Sequence, residues 1–116
     1  MQDGEIWAAV QAARRWLDAT NGTGVLELTF RILKVGEEAG EAAEAWAGLH
    51  GQNPRKGVTH TRDDVVAELA DVALTALVAI ASLDTDPRDA LAACATKVLT
   101  RPGPRPSLSS PTHDTT

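Results

Sequence analysis

Apolar side chains return along this chain at helical spacing. From Gly4 to Ala19, the residues Ile6, Trp7, Val10, Ala13 and Leu17 recur every three or four positions, with Arg14, Arg15 and Asp18 between them. This predicts a first amphipathic helix, closed by the turn pair Asn21-Gly22. A second helix is predicted over residues 25–49, with Leu26, Phe30, Leu33, Ala42, Trp46 and Leu49 as its apolar positions. Gly36 and Gly40 interrupt it at about 1 kcal/mol each relative to Ala; they either admit a close helix or reflect Ala/Gly drift. Residues 48–61, with Gly51, Asn53-Pro54 and Gly57, read as a loop. Thr61 then suits an N-cap, with Asp63 and Asp64 in the first turn where negative charge matches the helix dipole. The third helix runs to about Leu83. Asp84 to Pro87 breaks it, and Pro87 fits the first turn of a fourth helix reaching about Leu99.

Composition supports an all-α class: Ala is abundant, Tyr is absent, and Phe30 is the one Phe among 116 residues. The expected organisation is a four-helix bundle over residues 1–101, followed by a disordered Pro/Ser/Thr-rich tail over 102–116. With 11 Lys plus Arg against 16 Asp plus Glu, the net charge is -5. There is no basic tract to neutralise a nucleic-acid backbone. A lone Cys94 with no secretory signal predicts a cytoplasmic setting. No membrane partner is expected, because Glu68 and Asp71 interrupt the longest apolar stretch, Val65 to Leu83.

That stretch carries the candidate chemistry. Its polar residues Glu68, Asp71, Thr75 and Ser82, with Asp64 in front, fall within about 60° of one another on a helix. A helix apolar around the rest of its girth is expected to be buried, and a buried carboxylate needs a positive partner. The second helix offers Glu37, Glu38, Glu41 and Glu44, of which Glu38 and Glu41 share a face. A Glu-rich patch alone is ordinarily a solvated helix face. If the two helices pair antiparallel, however, Glu38 and Glu41 meet Glu68 and Asp71. Four converging carboxylates demand a cation, and an all-oxygen set suits Mg²⁺ or Mn²⁺ rather than Zn²⁺. Mg²⁺ held by carboxylates keeps open positions for substrate phosphates.

The run Leu33-Lys34-Val35-Gly36-Glu37-Glu38-Ala39-Gly40-Glu41, followed by Glu68-Leu69-Ala70-Asp71-Val72, resembles the MazG-like nucleoside triphosphate pyrophosphohydrolases. The likeness lies in an ExxE pair and an ExxD pair, here 26 residues apart, and covers about Leu26 to Arg101. It implies Mg²⁺-dependent cleavage of a nucleoside triphosphate to monophosphate and pyrophosphate. Glu38, Glu41, Glu68 and Asp71 would be the metal ligands, and Glu37 or Glu41 the base that activates water. Lys34, Arg55, Lys56, Lys97 and Arg101 are candidate phosphate contacts. Cys94 stands where many such proteins carry Asn, which bears on base or ribose contacts more than on the metal. A buried small hydrophobe is the default for Cys94, and Trp7, Trp16 and Trp46 suit core or dimer-interface positions. His50, His60 and His113 have no zinc-ligand spacing. The apolar surface exceeds what one protomer can hide, so a homodimer or homotetramer is expected. The competing readings are a non-catalytic nucleotide- or partner-binding helical module, and an enzyme acting on a phosphoribosyl-linked or prenyl-type diphosphate.

Overall fold

The computed structural model describes residues 2–102, and it is all-α: α1 (Gln2–Asn21), α2 (Val25–Leu49), α3 (Arg62–Ser82) and α4 (Pro87–Thr100), with no strand among the described residues. Of the expected tail, only Pro102 lies within them. Local chemistry explains the boundaries. Thr61 and Asp64 form a reciprocal capping box at the start of α3: Asp64 N–H donates to Thr61 Oγ1 at 3.1 Å, and Thr61 N–H donates to Asp64 Oδ2 at 2.9 Å. Asp86 caps α4 by accepting from Arg88 N–H at 2.9 Å, with Pro87 in the first turn.

Helices α2 and α3 run antiparallel: Arg31 meets Ser82, Glu38 meets Glu68 and Asp71, and Gly48 meets Thr59. The loop closes tightly against the end of α2. Thr59 N–H donates to Gly48 O at 3.0 Å, and a Cβ at Gly48 would collide with the side chains of Thr59 and His60. Gly36 and Gly40, by contrast, have open space where a Cβ would sit, so no helix among the described residues approaches them closely.

The core lies where α1 and α2 cover α3. Val10, Leu77, Val78 and Ala81 form its centre, with Trp7, Ala13 and Leu17 packed around them; Ala42, Ala45 and Val65 seal the α2–α3 contact. Of the apolar positions that periodicity picks out on α2, Leu26, Phe30 and Leu33 are all exposed. Arg31 occupies the inner face instead. Its Nε donates to Glu27 at 2.8 Å, NH1 to Asp18 at 2.7 Å and Ser82 Oγ at 3.1 Å, and NH2 to Gly22 O at 2.8 Å. Burial disfavours the charged guanidinium, but its bonds to Asp18 and Glu27 outweigh this and hold its pKa above the usual value.

The expectation that α3 is buried all round is met on one side only. Val65, Leu77, Val78, Ala79, Ala81 and Ser82 are inside, while Val66 and Leu69 are exposed, because α1 and α2 do not surround the helix. By length and composition alone α3 is also long and apolar enough to cross a bilayer. Helix α4 touches α3 through its first turn and then departs: Pro87 is buried, Ala90 is half-buried, and every residue from Leu91 to Arg101 is exposed. Cys94 is therefore exposed rather than buried, since none of the described residues packs over the helix carrying it. Trp16 and Trp46 are likewise exposed; Trp7 is half-buried, with the Arg88 guanidinium 5.2 Å from its ring centre.

Candidate metal centre

The carboxylates brought together are those spaced for it. One helical turn of α2 projects Glu37, Glu38 and Glu41, and the antiparallel α3 sets Glu68 and Asp71 opposite. Glu37, Glu38 and Glu41 each offer an oxygen within 4.8 Å of the others, and so do Glu38, Glu68 and Asp71. Glu38 is common to both groups, so the two helices share one acidic cluster. Oxygens on opposite sides of an octahedral Mg²⁺ lie about 4.2 Å apart, twice a 2.1 Å bond. The observed spacing thus needs only small side-chain movements to fit such an ion.

Burial grades across the cluster. Glu38 and Glu68 are half-buried, while Glu37, Glu41 and Asp71 are exposed. Glu68 Oε1 is sealed from solvent and has no hydrogen-bond partner. An enclosed carboxylate oxygen without a donor is costly, of order 1–3 kcal/mol or more for a charged group, and the Glu68 carboxylate that carries it belongs to the acidic cluster. The donor set and this orphaned oxygen both fit a hard divalent cation. The electrostatics agree: the charge of Glu38, then burial, then the charges of Glu68 and Glu37 push the Glu41 carboxyl pKa up, against a smaller opposing pull from Lys34.

Lys34 stands one turn before Glu38 at the cluster's edge. Its Nζ lies 2.5 Å from Glu37 and 3.4 Å from Glu38, and the Glu37 hydrogen bond is the main reason its pKa is raised. The other expected phosphate contacts are elsewhere. Arg55 and Lys56 lie on the 50–61 loop, and Lys56 lines a cavity of about 280 Å³ with Glu44, Asn53 and His60. Lys97 and Arg101 sit on the outlying part of α4. None of these four makes an ion pair among the described residues.

The polar stripe of α3 divides its labour. Asp64 is spent on the helix cap, which depresses its pKa through the Thr61 backbone and hydroxyl bonds. Ser82 accepts from Arg31 and donates to Val78 O at 2.8 Å. Thr75 lines a largely apolar cavity of about 530 Å³ between the three helices, beside Leu17, Phe30, Leu74 and Lys34. Only Glu68 and Asp71 serve the acidic cluster. Sequence reasoning passes over Arg31 and this cavity. The one available signal for Arg31 was Glu27 four residues before it, an ordinary helix-surface pattern. No family model, no curated protein and no solved structure matches the chain, and the site is therefore read on its own geometry.

Proposed function

We propose that the protein is a divalent-cation-dependent nucleoside triphosphate pyrophosphohydrolase, cleaving between the α- and β-phosphates to give the monophosphate and pyrophosphate. The observation carrying this reading is the acidic cluster: Glu38 joins Glu37 and Glu41 on one side to Glu68 and Asp71 on the other, and Glu68 carries a solvent-sealed oxygen with no donor. The ExxE and ExxD spacing, with its resemblance to MazG-like enzymes, narrows the cation chemistry to phosphoanhydride hydrolysis.

In this reading Glu38, Glu41, Glu68 and Asp71 hold Mg²⁺, or Mn²⁺ in its place. The ion would supply Lewis acidity toward the phosphoryl oxygens and acidify a bound water. Of the two candidate bases, Glu41 is the better placed. Glu37 is engaged by Lys34, whereas Glu41 has no ion pair among the described residues, so a Glu41 oxygen not committed to the ion is free to take the proton. Lys34 is the cation nearest the cluster and turns from Glu37 to the triphosphate when substrate enters. The apolar cavity beside it, about 530 Å³, has room for the non-phosphate part of the substrate.

The test is product analysis. Nucleoside triphosphates are incubated with the protein and Mg²⁺, and monophosphate plus pyrophosphate are resolved from diphosphate plus orthophosphate. Wild type should release pyrophosphate, and Glu41→Gln should lower kcat by roughly 10²–10⁴, the usual contribution of a positioned base. Orthophosphate release would refute α–β cleavage. Mg²⁺-dependent nucleotide binding with no turnover in wild type would refute the enzyme and favour a non-catalytic nucleotide-binding module.

A further inference from the structure

Thr75 is a hydroxyl without a partner on a helix that has little reason to be polar. Three other helical hydroxyls bond back to the carbonyl four positions earlier: Thr29 to Val25 at 2.7 Å, Ser82 to Val78 at 2.8 Å and Thr100 to Thr96 at 2.9 Å. Thr20 and Thr96 make no such bond, but both are exposed to water. Thr75 makes neither that bond nor another among the described residues, and it is half-buried in the wall of the largely apolar cavity of about 530 Å³. A hydroxyl withdrawn from water and left unpaired is unfavourable. Its level in the bundle is set by the acidic cluster. One turn from Glu38 toward the start of α2 comes Lys34, and one turn from Asp71 along the antiparallel α3 comes Thr75. Both steps run the same way, about 6 Å at 1.5 Å per residue, and both residues line the cavity. The next turn brings Phe30 and Val78, with Leu17 and Leu74 beside them. The polar groups farther along, Asn21, Glu27 and Arg31, are bonded to one another.

We propose that Thr75 holds the 3′-hydroxyl of the substrate's sugar, and so selects nucleoside triphosphates that carry one. This rests on the reading of the acidic cluster as the site that takes the phosphates. A nucleotide laid along the cavity with its phosphates at the cluster and Lys34 brings its sugar to Thr75 and its base against Phe30. Of the sugar hydroxyls, the 3′ one is nearest the carbon that bears the phosphates, and Thr75 is the uncommitted polar group of the cavity nearest the cluster on α3. A threonine hydroxyl both donates and accepts, so it meets another hydroxyl in either sense. Pairing also relieves the cost of enclosing it.

The test compares a 2′-deoxynucleoside triphosphate with its 2′,3′-dideoxy counterpart, in turnover and, with α,β-methylene analogues and Mg²⁺, in equilibrium binding. Wild type should favour the 3′-hydroxyl about tenfold in kcat/KM and in affinity, the usual cost of leaving one enclosed hydrogen-bonding group unmatched. Thr75→Val keeps the shape of the side chain without its hydroxyl and should bring that ratio near one; Thr75→Ser should restore it. The rise in Tm on adding Mg²⁺ should be the same in all three proteins, because Thr75 does not touch the ion. A wild-type ratio near one overturns the assignment, and pyrophosphate released from both substrates in that case leaves the hydrolase standing. A ratio that survives in Thr75→Val overturns it too, as does a Thr75→Val that loses its response to Mg²⁺, or a wild type that binds neither analogue. Discrimination in binding that vanishes in Thr75→Val, with no turnover of either triphosphate, supports Thr75 and overturns the hydrolase alone.

Discussion

Replacing Arg31 with Met keeps the volume of the side chain and removes the charge that ties three segments together. Arg31 reaches Asp18 on α1, Gly22 in the α1–α2 turn, Glu27 on α2 and Ser82 on α3. In Arg31→Met, Glu27 loses its ion partner and Gly22 O its donor; Asp18 keeps Arg14 at 2.7 Å and Ser82 keeps Val78 O. Breaking a buried ion pair by removing one partner costs about 3–5 kcal/mol. Asp18 and Glu27 retain 27% and 16% side-chain exposure and so recover some hydration, which sets the expected loss near the lower bound, about 3 kcal/mol. For a domain of this size that corresponds to a fall in Tm of roughly 12–24 °C. Arg31→Lys should recover only part of it, because one ammonium cannot reproduce a planar fork aimed at four acceptors. Urea unfolding followed by circular dichroism, at fixed protein concentration, measures both. A loss below about 1 kcal/mol for Arg31→Met, within the range of an ordinary surface change, would refute the claim that this network organises the fold, as would a wild-type midpoint for Arg31→Lys.

The acidic cluster gives a variant whose effect should change sign with the cation. Glu68→Gln should raise Tm in a chelator, because it removes a charge from mutual repulsion, and should diminish the stabilisation that Mg²⁺ confers. That stabilisation is about 2.7 kcal/mol in wild type at 100 times the Kd; equal Mg²⁺ responses in the two proteins would refute the site. Acid should act in two directions in the chelated protein. Glu41, raised above its ordinary 4.5, penalises the folded state when ionised, so stability rises as pH falls through its folded-state pKa. Asp18, lowered mainly by its bond to Arg31, and Asp64, lowered by Thr61, stabilise the fold above the ordinary 3.8, and that contribution is lost as pH falls through their folded-state values. A Tm measured against pH should therefore pass through a shallow maximum, and Glu41→Gln should flatten its rising side; an unchanged profile would count against the repulsion.

What the sequence reveals of this fold follows from locality. The starts of α3 and α4 are legible because their signals, Thr61 with Asp64 and Pro87 after Asp86, act within one turn. The Glu38–Glu68–Asp71 meeting is legible too, since helical spacing and one loop suffice to pair two antiparallel helices. Arg31 is hidden because its four acceptors come from segments up to 51 positions away, and in sequence it resembles any surface arginine. Periodicity also finds the stripe Leu26–Phe30–Leu33 without saying which way it faces: an apolar side promises a partner, and only the packing of Arg31 inward shows that the partner is not α3. The same holds for Cys94, whose surroundings depend on α4 having a neighbour.

Among the described residues, half of the buried apolar ones, Ala42, Ala45, Ala79 and Ala81, are alanines, and the largest fully enclosed side chain is Val10. So small a payload of enclosed hydrocarbon implies a low heat-capacity increment when an isolated protomer unfolds, since that increment scales with the apolar surface released to water. The stability curve of such a protomer is broad and shallow, with little enthalpy to gain at any temperature. Curvature, and with it a sharp melting transition, would have to come from the larger side chains now facing solvent, once something covers them.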